Sequence, residues 1–117
     1  RGKLMLTIEA LENYGANTKE GLERCLNKED FYLMLIPQAV ERSAYERVDN
    51  AIKAGNLEEG FEAAHALKGI LANLALTPAL KPVSEMTELL RAKNAEADYD
   101  SLLKEMWSER DRLEALL

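Results

Sequence analysis

Residues 57–76 read LEEGFEAAHALKGILANLAL, and apolar residues recur in this stretch at the spacing of one face of an α-helix. On a helical wheel that advances about 100° per residue, the apolar residues within about 60° of Leu67 form one stripe. The stripe consists of Ala63, Ala64, Leu67, Ile70, Leu71 and Leu74. This pattern predicts a long helix that packs one face against other helices.

The rest of the chain has the same helical pattern, and no segment alternates polar and apolar residues over the length of a strand. Short helices are predicted from Leu4 to Tyr14 and from a cap at Asn17 to about residue 26. A longer helix is predicted over residues 27–52, capped by Asn27, and Pro37 inside it is expected to kink it or to interrupt one backbone hydrogen bond. Further helices follow from residue 77, settling into regular geometry after Pro82, and from about residue 98.

Four long amphipathic helices with short connections predict the fold class. The expectation is an all-α protein, an antiparallel four-helix bundle in up-down-up-down order formed by residues 27–117. The short helices of residues 1–26 are expected to pack at one end of it. Because no linker or low-complexity stretch divides the chain, residues 1–117 are predicted to form a single domain.

Composition excludes several classes of function. The 117 residues carry a net charge of −6, which argues against binding nucleic acid. No apolar run approaches the roughly 20 residues of a membrane helix, and no glycine-rich loop is present to hold ATP. The chain has a single cysteine, Cys25, and therefore cannot form an internal disulfide, which favours a cytoplasmic location. Cys25 itself is predicted to be a small buried apolar residue. The first residue, Arg1, leaves open that the chain is a module of a larger sensor kinase.

His65 is the only histidine of the chain and lies about 160° from the centre of the apolar stripe, so it is predicted to face solvent. A lone histidine on a helix is most often an ordinary surface residue. Lys68 and Gly69 follow three and four residues later, so both lie one turn from the imidazole. Lys68 could balance the charge of a phosphoryl group, although a solvated lysine is the simpler interpretation.

Gly69 argues for a function because a glycine inside a helix costs about 1 kcal/mol relative to alanine. On an exposed face it has no packing purpose within the monomer, but it would let another protein approach the imidazole. Phe61 and Ala72 flank His65 on the outer surface and are candidates for partner docking. For Phe61, covering a boundary with a neighbouring helix is an equal alternative.

Other kinds of histidine-containing site are not expected, because the chain lacks the additional residues that each of them requires. Glu62 and His65 have the Glu-x-x-His spacing of di-iron bundles, but that site requires a second copy and this chain has no second histidine. Zinc sites lack ligands, and a Ser-His-Asp assembly requires a pocket rather than a convex helix face. No metal site is therefore expected.

The segment His65-Ala66-Leu67-Lys68-Gly69, continuing to Asn73-Leu74, resembles the signature of histidine-containing phosphotransfer (HPt) domains. The similarity extends upstream to Leu22-Glu23-Arg24-Cys25 and Phe31-Tyr32. The chain departs from the family at Ala75, where glycine is frequent.

The resemblance implies a phosphocarrier in a two-component phosphorelay and not an enzyme. His65 would accept a phosphoryl group from a receiver-domain aspartate, or from a sensor histidine kinase, and pass it to a response regulator. Lys68 would stabilise the phosphoryl oxygens and Gly69 would give the receiver room. No cofactor of its own is implied, since Mg²⁺ is expected on the partner receiver domain. The alternative is a helical adaptor that binds receiver or kinase domains without carrying phosphate.

Overall fold

A computed structural model of the chain describes residues 6–117, and within this range every regular element is helical. Leu4, the expected start of the first helix, lies outside the described residues. The α-helices are α1 (Ile8–Tyr14), α2 (Thr18–Arg24), α3 (Glu29–Leu35), α4 (Arg42–Lys53), α5 (Leu57–Asn73), α6 (Thr77–Arg91) and α7 (Tyr99–Glu114), with a 3-10 helix over Ile36–Val40.

The four longest helices, α4 to α7, form the bundle. α5 packs against α4 and α6, and α7 closes the ring by packing against α6 and α4. The connections span only residues 54–56, 74–76 and 92–98, so consecutive helices run antiparallel. The largest fully buried bundle side chains are Tyr45, Val48, Leu67, Leu71, Met86, Leu90, Met106 and Leu113. The predicted all-α, up-down-up-down bundle is confirmed.

The short N-terminal helices pack at one end of the bundle, as predicted, where α5 and α7 finish. The backbone N–H of Asn17 donates to the carbonyl of Ala75 at 2.9 Å. The guanidinium of Arg112 donates to the carbonyl of Tyr14 at 2.8 Å, which joins the end of α1 to α7. Cys25, at the end of α2, is buried, as predicted.

The predicted cap at Asn17 is confirmed, and Asn56 and Asp98 cap α5 and α7 in the same way. The side chains of Asn17, Asn56 and Asp98 each accept a hydrogen bond from the backbone N–H three residues later, at 3.2, 3.0 and 3.1 Å. The predicted cap at Asn27 is wrong. Asn27 has a left-handed backbone with φ of 57°, and α3 begins two residues later without a side-chain cap.

The prolines act differently from each other. Pro37 lies in the 3-10 helix that separates α3 from α4. The single long helix expected over residues 27–52 is therefore wrong, because this segment forms two shorter helices. The first helix of the bundle begins only at Arg42. Pro82 lies inside α6, which runs without interruption from Thr77, so the expected delay in regular geometry is wrong. Since Pro82 lies close to the N-terminus of α6, it removes a single hydrogen bond, and its ring is buried.

The end of α5 is a Schellman turn. The N–H of Leu76 donates to the carbonyl of Leu71 at 3.0 Å, and that of Ala75 donates to Ala72 at 3.1 Å. Ala75 takes the left-handed conformation with φ of 56°, which glycine adopts at lower cost. The backbone geometry thus explains why glycine is favoured at this position.

None of the helices within residues 6–117 is both long and apolar enough to span a bilayer.

Tyr32 joins α3 to the end of α5. Its ring is fully buried, and its hydroxyl donates to the carbonyl of Leu74 at 2.8 Å. Burial, with a contribution from Cys25, raises the pKa of Tyr32 to about 12, so the hydroxyl keeps the proton that it donates. We expect Tyr32→Phe to lower the free energy of unfolding by about 1–3 kcal/mol, because it leaves a buried carbonyl without a donor.

Urea unfolding followed by Trp107 fluorescence and by circular dichroism measures this loss. Tyr99→Phe is the matched control, since its hydroxyl donates to the carbonyl of Asn94 at 2.7 Å in an exposed connection where water can replace it. A loss no larger for Tyr32→Phe than for Tyr99→Phe would contradict the prediction.

Candidate functional site around His65

α5 turns His65 away from the core. The apolar side chains beside it in sequence, Ala64 and Leu67, are fully or almost fully buried, whereas His65 is exposed near the middle of the helix. Within residues 6–117 neither ring nitrogen hydrogen bonds to another residue. Ile70, which the helical wheel places in the buried stripe, is only partly buried and lines a cleft at the edge of α5. The imidazole is therefore presented to solvent on a rigid support.

The Phe61 ring packs against the imidazole of His65. The two rings are stacked, with centroids 5.4 Å apart and an interplanar angle of 14°. The guanidinium of Arg91, on α6, lies over the Phe61 ring at 4.9 Å from its centroid. Phe61 thus lies at the boundary between α5 and α6 and also contacts the candidate nucleophile, while its part in docking stays a prediction.

Lys68 is half-buried beside His65 and is not simply solvated. Its Nζ lies 3.6 Å from a carboxylate oxygen of Glu88 on α6. The same carboxylate accepts hydrogen bonds from Nε and Nη2 of Arg91, at 3.3 and 3.4 Å. Arg91, and to a lesser extent Lys68, lower the pKa of the Glu88 carboxyl, so it is an anion at neutral pH. Glu88 therefore lies between two cations of the site.

Gly69 is exposed, and a Cβ built on it would have no heavy atom within 4 Å. The other glycine of α5, Gly60, is different because its Cβ would lie 3.2 Å from the Leu90 side chain. Packing therefore accounts for Gly60, whereas nothing in the fold requires a glycine at position 69.

A cleft of about 500 Å³ opens beside Gly69. Ala66, Gly69, Ile70 and Asn73 of α5 form one wall, and Leu35 and Gln38 form the other. The Asn73 side chain is exposed there and makes no hydrogen bond to another residue in the described part of the chain.

Apolar side chains are exposed on α3, which ends at Leu35 of the cleft wall, and in the turn before α3. Phe31 and Met34 of α3 are 42% and 64% exposed, and Leu26, in the preceding turn, is 74% exposed. Phe31, Met34 and Leu35 lie on one face of α3 because they are three or four residues apart. We call these three residues the α3 patch.

Ala72 has a different environment from the other predicted docking residues. It is half-buried, and its carbonyl accepts a hydrogen bond from the Arg24 guanidinium of α2. Arg24 is in turn paired with Glu20 at 3.1 Å. The Ala72 side of α5 is thus partly covered by α2.

Sequence reasoning missed the residues that other elements bring to the site. Glu88 and Arg91 had a local signal, since oppositely charged residues three apart on a helix form surface pairs, but nothing local placed them beside Lys68.

Within residues 6–117 there is no cluster of three or more histidine, cysteine, aspartate or glutamate side chains arranged to hold a metal ion.

Comparison with known proteins matches residues 41–117 to the Hpt domain family. The match covers more than half of the chain and contains α4 to α7 with His65, Lys68 and Gly69. The chain therefore belongs to the Hpt domain family, whose members are phosphocarrier modules of two-component signalling and interact with receiver domains and kinases. No curated protein and no solved structure matches the chain.

Residues 1–40 lie outside this match, and they include α1 to α3 and the α3 patch. The upstream resemblance at Leu22-Glu23-Arg24-Cys25 and Phe31-Tyr32 stays a prediction. The bundle is thus the part of the chain that the family defines.

Gly69→Ala should stabilise the protein by about 0.5–1 kcal/mol, because alanine restores helix propensity and its methyl group enters open space. The measurement is the urea concentration at the midpoint of unfolding, which should rise while the m-value, the slope of the free energy of unfolding against urea concentration, stays unchanged. Gly60→Ala serves as the control, since its methyl group meets Leu90 and its gain should be smaller or negative. If Gly69→Ala were destabilising, the fold itself would require the glycine.

Proposed function

We propose that the chain carries phosphate on His65. A ring nitrogen accepts a phosphoryl group from a receiver-domain aspartate, or from a sensor histidine kinase, and delivers it to the aspartate of a response regulator. The observation that carries this proposal is the exposed imidazole in the middle of α5, within the Hpt match, which hydrogen bonds to no other residue among residues 6–117. We further propose that residues 1–117 act as one domain, since the N-terminal helices are hydrogen bonded to the bundle.

The transfer places a limited demand on this protein. The lone pair of a neutral imidazole nitrogen forms the N–P bond while the P–O bond to the receiver aspartate breaks, and the bonding pair returns to the aspartate as a carboxylate. The proton on the other ring nitrogen is then lost to water. Such a transfer requires mainly position and electrostatics from the acceptor, and the stacked Phe61 ring supplies position.

Charge is the second requirement. A phosphoryl group brings close to two negative charges to a chain whose net charge is already −6. Lys68 lies one turn from His65, where its ammonium would offset part of that charge. We assign Lys68 the role of stabilising the phosphoryl oxygens.

Access is the third requirement, because the receiver aspartate must approach the imidazole in line with the new bond. Gly69 has no side chain and leaves the surface beside His65 open. The small side chain of Ala66 extends this open surface into the cleft. Phe61 and Ala72 border it on the α6 and α2 sides. We propose that a receiver domain docks over Gly69 with its reactive aspartate above His65.

The α3 patch extends this docking surface. Leu35 belongs to both the patch and the cleft wall, so the exposed side chains of Phe31 and Met34 continue the surface away from Gly69. Exposed apolar side chains beside a reactive group indicate a protein interface. We assign the α3 patch to the same receiver domain because the surface is continuous with the His65 site.

His65→Gln should abolish phosphorylation, because the amide has no nucleophilic nitrogen while its size and polarity preserve the helix surface. The protein is incubated with a phosphorylated receiver, and an acid-labile, alkali-stable label is measured. Label that persists in the variant would exclude His65 as the acceptor. Receiver binding without transfer in the wild-type protein would instead support the adaptor.

Met34→Asp should slow transfer from a receiver by about fivefold or more at receiver concentrations below saturation, because it places a charge in the docking surface. Labelling by phosphoramidate, a small donor that does not require docking, should be unchanged. The matched control is Ser108→Asp on the exposed face of α7. Equal receiver-dependent rates for the two variants would remove the α3 patch from the interface.

A further inference from the structure

Glu88 adds to the site a charge that opposes the proposed function. It is an exposed carboxylate on α6, and it contacts Lys68 at 3.6 Å while accepting both hydrogen bonds from Arg91. A negative charge beside a phosphoryl acceptor disfavours the phosphorylated state. Its presence therefore calls for an explanation in terms of the transfer cycle.

The pair between Lys68 and Glu88 is weak enough to be exchanged. The side chains are 32% and 58% exposed, and ion pairs in such surroundings contribute little to stability. The separation of 3.6 Å is also longer than that of a good charge-assisted hydrogen bond. A stronger anion within reach of the Lys68 ammonium would therefore displace Glu88.

A phosphoryl group on His65 would be that anion. It carries more charge than a carboxylate and has three acceptor oxygens, one turn of helix from Lys68. Glu88 would not be left without a partner, because Arg91 holds it through two hydrogen bonds. The same guanidinium lies over Phe61, so the support of the imidazole also stays in place.

We propose that Glu88 is a positioning residue that holds Lys68 while His65 is unmodified and releases it to the phosphoryl group after transfer. This inference rests on the proposed function of His65. Its consequence is a carrier that does not bind phosphate too firmly, because the Glu88 charge continues to repel the phosphoryl group. Glu88 thus favours onward delivery over retention.

The sign of the effect follows from these charges. Glu88→Gln frees Lys68 before the donor arrives and removes a repulsive charge, so phosphorylation of His65 should become faster. Onward transfer to a receiver should become slower for the same reasons. An exposed pair of this kind supports changes of roughly two- to fivefold.

The experiment measures the rate at which phosphoramidate phosphorylates His65, by intact-protein mass spectrometry. In this reaction the imidazole lone pair forms the N–P bond while the donor P–N bond breaks, and the amino group, protonated in the donor, leaves as ammonia with the bonding pair. The variants are Glu88→Gln, Lys68→Met and the double variant. Glu85→Gln is the matched control, because it removes the same charge from an exposed position of α6 that has no ion pair within residues 6–117.

The proposal expects Glu88→Gln to react two- to fivefold faster than the wild-type protein and Glu85→Gln to react at the wild-type rate. The gain should shrink by at least half in the Lys68→Met background, because no lysine is then left to release. A gain of the same size in that background, or equal rates for Glu88→Gln and Glu85→Gln, would overturn the role of Glu88 while the function of His65 stands. Absence of label on His65 in every protein, including the wild type, would overturn the function and this inference with it.

Onward transfer supplies a readout that a merely structural role would not change. After labelling, each protein is mixed with one receiver domain, and loss of the phosphohistidine is followed. Glu88→Gln should deliver its phosphate two- to fivefold more slowly than Glu85→Gln. Faster acceptance with unchanged delivery would contradict the proposed release of Lys68.

Discussion

Burial of one stripe of α5 between α4 and α6 is the constraint on which the candidate site depends. Leu67 and Leu71 are almost completely buried, and Ala64 lets the neighbouring helix approach closely. Because a helix is rigid at this scale, burying these side chains fixes the rotation of α5 about its axis. His65 then has only one direction in which to point, outward from the bundle. The hydrophobic effect in the core thereby positions a polar group on the surface.

The surroundings of His65 divide into two sides with different physical character. On the α6 side, Phe61 and Lys68 contact Arg91 and Glu88, which provides aromatic support and alternating charge. On the α3 side, Gly69 opens onto a cleft with an apolar edge. In the proposed function, the α6 side acts on the phosphoryl group and the α3 side contacts the partner protein.

The membership of the Hpt family and the proposed docking surface rest on different parts of the chain. The family match covers the bundle from residue 41, whereas the α3 patch precedes it. The two parts are joined by specific hydrogen bonds, such as those of Tyr32 to Leu74 and Asn17 to Ala75. The bundle that matches the family and the α3 patch outside the match are therefore held together by direct contacts.

The sequence by itself determined the helical class, the cap at Asn17 and the outward direction of His65. These features depend on residues within one or two turns of each other, and helical periodicity is a local property. The sequence did not determine that Pro37 would divide the long helix while Pro82 would not interrupt α6, since the outcome depends on the surrounding packing.

Only the tertiary structure decided which residues share the site with His65. Glu88 lies 20 positions beyond Lys68 in the chain, and the two meet because α6 folds back along α5. Leu35 reaches the cleft for a similar reason, through the packing of α3 and the 3-10 helix at the end of the bundle. Contacts between elements depend on how each helix is rotated and how far it is shifted along its neighbour. The local pattern of one helix does not contain that information.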